Sequence, residues 1–137
     1  MNTNDIDRAP IVAEVRAAFA RYESALVAND LAALDAFFWD SPSVVRYGAN
    51  ENLYGIDAVR AFRATRSPAG LARSLANTVI TTFGDDFAVA STEFDRGGAK
   101  GRQQQTWVRI HGRWCIVAAH ISMLSASSRS SEDARAE

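Results

Sequence analysis

The chain has 137 residues, 47% of them hydrophobic, and 15 basic against 16 acidic side chains give a net charge of −1. This is enough for one domain with a real core, though a chain this short buries only about two-thirds of its unfolded surface. The balanced charge excludes the basic field that nucleic acid or an anionic membrane surface would require.

Cys115 is the only cysteine, which excludes a disulfide framework and a thiolate metal cluster. It lies in the apolar run Trp114-Cys115-Ile116-Val117 and reads as a small core residue. The first residues, Met1 to Asp5, are polar, and no segment approaches the ~20 apolar residues of a membrane span. The chain is expected to be soluble and cytoplasmic.

In chain order, Val15, Ala18, Phe19, Tyr22 and Leu26 recur at steps of three and four and predict a helix over Ile11 to Val27. Glu14, Arg21 and Glu23 fall mostly off its stripe. Asn29-Asp30 breaks it and can cap a second short helix through Leu31, Leu34, Phe37 and Phe38, which Ser41-Pro42 ends. Val44 to Tyr47 is a short strand closed by Gly48, and residues 49–55 form a loop. A third helix, Ile56 to Thr65, has the stripe Ile56, Val59, Phe62, with Arg66 next on it, and Ser67-Pro68-Ala69-Gly70 terminates it.

Strands follow. Leu71 to Phe83, Phe87 to Phe94, Arg102 to Ile110 and Arg113 to Leu124 form a meander, with a flexible connection at residues 97–101 and a tight hairpin at His111-Gly112. Residues 1–124 make the domain, and residues 125–137, rich in Ser, Arg and Glu without an apolar anchor, form a disordered tail. Segregated helices and strands predict an α+β domain, three helices packed on one face of a bent antiparallel sheet.

Polar residues at positions that periodicity assigns to the interior mark a candidate site. Tyr22 lies on the first helix's stripe, where its hydroxyl needs a partner or a cavity; a core tyrosine with a satisfied hydroxyl is the plain alternative. Arg46, between Val45 and Tyr47, suits a bidentate carboxylate clamp if inward, or solvent if not. Arg66 can face the same pocket or simply serve the helix C-terminus.

With a two-residue turn at His111-Gly112, Ile110 pairs with Arg113. The register then sets Trp107, Gln105 and Gln103 opposite Ile116, Ala118 and His120, on one face with Ser122. A three-residue turn would bring Gln104 and Thr106 there instead. The other face of the last strand, Val117, Ala119, Ile121 and Met123, is fully apolar and predicts a homodimer contact.

His111 and His120 are the only histidines, so no metal-ligand spacing exists. No Gly-rich phosphate loop or nucleophile elbow occurs. No firm inward carboxylate is evident, Glu51 and Glu93 being the nearest. Such a pocket prefers a small anionic molecule.

Trp114 to Ser122, after the strand with Thr106-Trp107-Val108-Arg109, is similar to the closing strands of NTF2-like (SnoaL-like) proteins, which implies a cone-shaped fold enclosing a pocket. Arg46 to Gly55, Ala61-Phe62-Arg63 with Arg66, Gly101-Arg102-Gln103 and Gln105-Thr106-Trp107 together resemble the small NTF2-like proteins of ureide catabolism, associated with oxalurate and cyanuric acid breakdown. The resemblance runs from about Tyr22 to Ser122.

That resemblance implies cofactor-independent decarboxylating hydrolysis of an N-carboxylated urea, 1,3-dicarboxyurea-like to allophanate. Arg46 would bind carboxylate and Tyr22 would donate the proton. Arg66, Gln105, Trp107, His120 and Ser122 would bind substrate, and an amidase would work in the same pathway. Two other classes stay open. One is a non-catalytic ligand-binding or accessory dimer supporting an amidase. The other is an isomerase or dehydratase of the same fold, which expects an inward aspartate and a largely apolar pocket.

Overall fold

The computed structural model describes residues 1–125, so the tail expected from residue 125 onward lies outside it except for Ser125. After a short 3₁₀ turn at Thr3–Asp5, helix α1 (Ala9–Val27) starts with Pro10 in its first turn, where a missing N–H costs nothing. It buries Ile11, Val15, Ala18, Phe19, Tyr22, Ala25 and Leu26, the stripe that the sequence spaces at three and four. Helix α2 (Leu31–Phe37) is capped by Asp30, whose carboxylate accepts the Ala33 N–H at 3.2 Å.

Strands β1 (Val45–Tyr47) and β2 (Asn52–Tyr54) then precede helix α3 (Ile56–Thr65). Four long strands complete the chain: β3 (Ser74–Phe83), β4 (Phe87–Arg96), β5 (Ala99–Ile110) and β6 (Arg113–Met123). They form one six-stranded sheet in the order β2-β1-β6-β5-β4-β3, antiparallel except where β1 runs parallel to β6. All three helices contribute to a core with Ile80, Ala88, Ala90, Trp107, Ile116 and Ala119 of the sheet. The helices therefore cover one face, as an α+β layer packing requires.

The structure departs from the sequence reading in the parallel pairing of β1 with β6, in the start of β3 at Ser74 and not Leu71, and at three further places. The loop after Gly48 contains β2, which pairs antiparallel with β1 in the register Val45↔Tyr54, Arg46↔Leu53, Tyr47↔Asn52. Strand β4 runs two residues beyond Phe94, and Gly97-Gly98, both at positive φ (60° and 90°), makes the tight turn into β5. The flexible connection expected over residues 97–101 is thus mostly strand.

The last departure decides which residues face inward. His111-Gly112 is the two-residue turn expected, with φ of 50° and 75°, and Ile110↔Arg113 and Trp107↔Ile116 pair as predicted. The next pair, however, is Thr106↔Ala118, which leaves Val117 as an extra residue, a β-bulge. At this point β6 changes its other neighbour: Phe38 bridges Ile116 in parallel, the Trp39 N–H donates to the Ile116 carbonyl at 3.0 Å, and β1 takes over at Ala118. A single inserted residue reverses every later side chain. Gln105 faces Ala119 and Gln103 faces Ile121, whereas His120 and Ser122 share the opposite face with Gln104 and Arg102. The continuous apolar face expected from Val117, Ala119, Ile121 and Met123 does not exist, because Ala119 and Ile121 turn inward.

Candidate functional site

On the inner face, one row crosses the sheet as Arg46, Ala119, Gln105, Ala90 and Ile80. Neighbouring strands lie about 4.8 Å apart. On this row only the methyl of Ala119 stands between the Arg46 and Gln105 side chains. The next row holds Ile121, Gln103 and Thr92, and Arg96 ends the inward series Ala88, Ala90, Thr92, Phe94 on β4. From the helices, Tyr22, Arg63 and Arg66 approach the same interior.

Tyr22 is buried and its ring packs against Phe37 (5.8 Å), Phe38 (6.2 Å) and Trp107 (6.4 Å). Its hydroxyl takes no hydrogen bond from any described residue. The fully buried Trp107 indole donates to Gln105 Oε1 at 3.1 Å, which turns the amide nitrogen of Gln105 away from it.

Five guanidinium groups belong to this interior, and each has a distinct setting. Arg46 Nη1 donates to Glu51 Oε1 at 2.9 Å, and the group lies 5.1 Å over the Phe62 ring. Glu51 reaches it across Gly48, where a Cβ would fall 1.7 Å from Glu51 Oε1 and push that carboxylate aside. Arg63, 2% exposed, donates to Asp35 at 3.1 Å and lies 4.4 Å over Phe38. Arg73 forks onto the Glu23 carboxylate, Nε donating at 2.9 Å, and its Nη2 also donates to Gln103 Oε1 at 3.0 Å.

Arg66 and Arg96 have no carboxylate partner among the described residues; Arg66 has only a long 3.5 Å contact to Asn29 Oδ1. Burial pulls the Arg66 guanidinium below its ordinary pKa, helped by Arg63, Arg46 and Arg96 and opposed by Tyr22. Burial likewise lowers Arg96, with Arg73 adding to the effect and Glu23 opposing it. Arg73 and Arg96 share the Phe94 ring, at 4.6 and 5.4 Å.

Buried donors without acceptors concentrate here. Arg63 Nη2, Arg66 Nε, Arg96 Nε and Gln103 Nε2 are all inaccessible and unpaired among the described residues. A buried N–H left unpaired costs about 1–3 kcal/mol, so four of them in one interior call for a ligand rich in acceptors. The arrangement can bind and orient an anion beside a phenol.

Of the residues read from the sequence, Tyr22, Arg46, Arg66, Gln105 and Trp107 turn to the interior. His120 and Ser122 do not. The bulge places them in a depression of the outer face with Asn77, Ser91, Arg102 and Gln104, and His120 packs edge-on against Tyr47 at 5.7 Å. Glu93 is also on the outer face, accepting from Asn77 at 2.7 Å, and Glu23, expected off the buried stripe, is the partner of Arg73.

The sequence reading missed Arg63, Arg73, Arg96 and Gln103's unpaired amide. Arg96 was legible from the alternation through Phe94 once Gly97-Gly98 is taken as a turn; Arg73, before β3, carried no periodic signal. No group of three or more His, Cys, Asp or Glu side chains that could hold a metal ion occurs among the described residues. No described helix is long and apolar enough to cross a membrane.

A sheet wrapped by three helices around a cation-lined interior defines an NTF2-like α+β protein. A protein of the same fold from Pseudomonas putida KT2440, described as NTF2-like and of unknown function, is 20% identical with a TM-score of 0.71, over 84% of this chain and 87% of that one. Within this class the chain belongs to the AtzH-like family, whose model matches residues 4–127.

Two structures are much more similar. A DUF3225-family protein of unknown function from Pectobacterium atrosepticum SCRI1043 is 57% identical, with a TM-score of 0.89, over 91% of this chain and 99% of that one. A cystatin-like fold protein from Burkholderia xenovorans LB400 is 48% identical, with a TM-score of 0.84, over 88% and 96%. No curated protein matches the chain.

Proposed function

We propose that the protein is a cofactor-independent decarboxylating hydrolase of a small N-carboxylated urea, of the 1,3-dicarboxyurea type, acting in the interior between Tyr22 and the arginines. The observation that carries this reading is the set of four buried N–H donors, unpaired among the described residues, in the interior that also holds the buried Tyr22. Membership of the AtzH-like family agrees with a ureide substrate. The isomerase reading lacks its base, because the inner carboxylates Glu23, Asp35 and Glu51 are each held by an arginine.

In this reaction Arg46, steadied by Glu51 and the Phe62 ring, orients the departing carboxylate by charge-assisted hydrogen bonds. The C–N bond breaks and its electron pair stays on nitrogen, which takes the Tyr22 proton. Carbon dioxide leaves, and water restores the proton to the phenolate. A positioned acid of this kind contributes about 10²–10⁴-fold.

Carbon dioxide release from dicarboxyurea-type substrates by the purified protein tests the proposal. Tyr22→Phe should fold and bind substrate while turning over at least ~100-fold more slowly. Arg46→Ala should weaken binding and turnover together, by roughly 2–5 kcal/mol. Tyr22→Phe at native rates would remove the proton donor. A native protein that binds without turnover would leave the accessory reading standing.

The outer face supports a second copy of the chain as partner. Two adjacent rows cross all six strands there without Asp, Glu, Lys or Arg. They are Tyr54-Val45-Ala118-Thr106-Val89-Thr81 and Asn52-Tyr47-His120-Gln104-Ser91-Val79. Homodimerisation through this uncharged face replaces the apolar strip that the bulge divides.

A further inference from the structure

The charges of the interior do not balance. Among the described residues, Glu51, Asp35 and Glu23 neutralise Arg46, Arg63 and Arg73 one for one. Arg66 and Arg96 remain, each with a buried unpaired Nε. Two uncompensated, partly buried guanidinium groups in one interior repel each other and each loses hydration. A monoanion would relieve half of that.

Arg46 stands on β1 and Arg96 on β4, with β6 and β5 between them; Arg66, at the end of α3, feels the charges of Arg63, Arg46, Tyr22 and Arg96. Arg96, at the end of β4, lies against Phe94 with Arg73 and Gln103. Gln103 is 4% exposed, and its amide orientation is fixed: Oε1 accepts from Arg73, so Nε2 is the buried end without an acceptor.

The Phe94 ring can support both cations because β5 has glycine beneath it. A Cβ at Gly101 would fall 2.2 Å from Phe94 Cζ. The Glu23–Arg73–Gln103 chain and the Phe94–Gly101 stack thus hold one guanidinium and one amide N–H in readiness, with no acceptor for either among the described residues.

We propose that Arg96 and Gln103 form a second carboxylate-binding pole, opposite that of Arg46, and that this pole makes the interior select small dianions over monoanions. The inference rests on the interior being the substrate site. Arg96 and Gln103 are on this view specificity-determining residues, and the far carboxylate stays bound while the near one departs.

N-carboxylates are labile, so glutarate and butyrate serve as probes by isothermal titration calorimetry. Glutarate keeps the three-atom spacing between the carboxylate carbons of a dicarboxylated urea, and butyrate lacks one carboxylate. The native protein should bind glutarate at least tenfold more tightly than butyrate. Arg96→Gln should abolish that ratio by weakening glutarate alone, and Arg46→Gln should weaken both.

Gln103→Leu, of similar volume, should lower the glutarate preference several-fold and covers the case in which Arg96→Gln fails to fold. A native protein that binds both probes equally, or an undiminished preference in the folded variants, overturns the second pole and leaves the site reading intact. Binding of neither probe by the native protein overturns the site reading and this inference with it.

Discussion

The two faces of the sheet are made from alternate residues of the same strands, yet they differ in kind. The inner face carries Arg46, Gln103, Gln105, Trp107 and Arg96 among small residues such as Ala88, Ala90 and Ala119. The outer face carries hydroxyls, amides and medium apolar groups in two uncharged rows. Inside, bulky polar groups stand where alanines leave room for them, and several of their donors have no acceptor. Outside, polar groups satisfy one another: Gln104 donates to Ser91 at 3.1 Å, and Tyr47 stacks edge-on with His120 and Tyr54. Buried charge is therefore concentrated on the inner side, where a ligand can answer it, and two rows of the outer side are left uncharged for a second copy to cover, with Glu93 and Arg102 beyond them.

The largest effect that would break this contrast is a truncation inside. Trp107 is fully buried, touches Tyr22 and Phe37, and holds Gln105 through its indole N–H. Trp107→Ala should lower unfolding free energy in urea by about 3–5 kcal/mol. Its neighbour Thr106 points outward, and Thr106→Ala should change stability by no more than about 0.5 kcal/mol. Similar costs at the two positions would contradict the division of labour between the faces.

A smaller and more specific effect belongs outside. Thr106 lies in the middle of its uncharged row, so Thr106→Arg would place a charge on the face of each copy in a homodimer. Light scattering at micromolar concentration should show a dimer for the native chain and a shift towards monomer for Thr106→Arg. A stable contact should bury more than about 1,000 Å² in total. A monomeric native protein would remove the second copy from the outer face.

Much of this division was legible in the sequence. Residues at three- and four-residue spacing located α1 and α3, and the His111-Gly112 turn fixed the first pairs of the last hairpin as far as Trp107 and Ile116. Tyr22, Arg46 and Arg66 stood out because polar groups interrupted apolar patterns. What the sequence could not show was Val117 as an extra residue, because nothing in Ile116-Val117-Ala118-Ala119 marks a bulge. Its cause lies in a distant segment, the passage of β6 from Phe38 and Trp39 to β1. Tertiary pairing of that kind has no local signature, and it reversed the facing of His120 and Ser122. The arginine network was hidden for a related reason: Glu23, Arg73 and Gln103 meet only once α1, the segment before β3 and β5 are packed.

The smallest expected effect is the most direct test of that bulge. In the register without it, His120 is a substrate ligand and its loss would weaken binding. In the register of the structure, His120 pairs with Gln104 and is exposed on the outer face against Tyr47. The sheet backbone lies between it and the interior. His120→Ala should therefore leave glutarate affinity and carbon dioxide release within about twofold of native, since surface substitutions away from a site usually cost within ±0.5 kcal/mol. Measuring dimer mass in the same sample separates the two roles left to this residue. A loss of binding that follows dissociation belongs to the outer contact, whereas a loss of binding in an intact dimer would return His120 to the interior and take the bulge away.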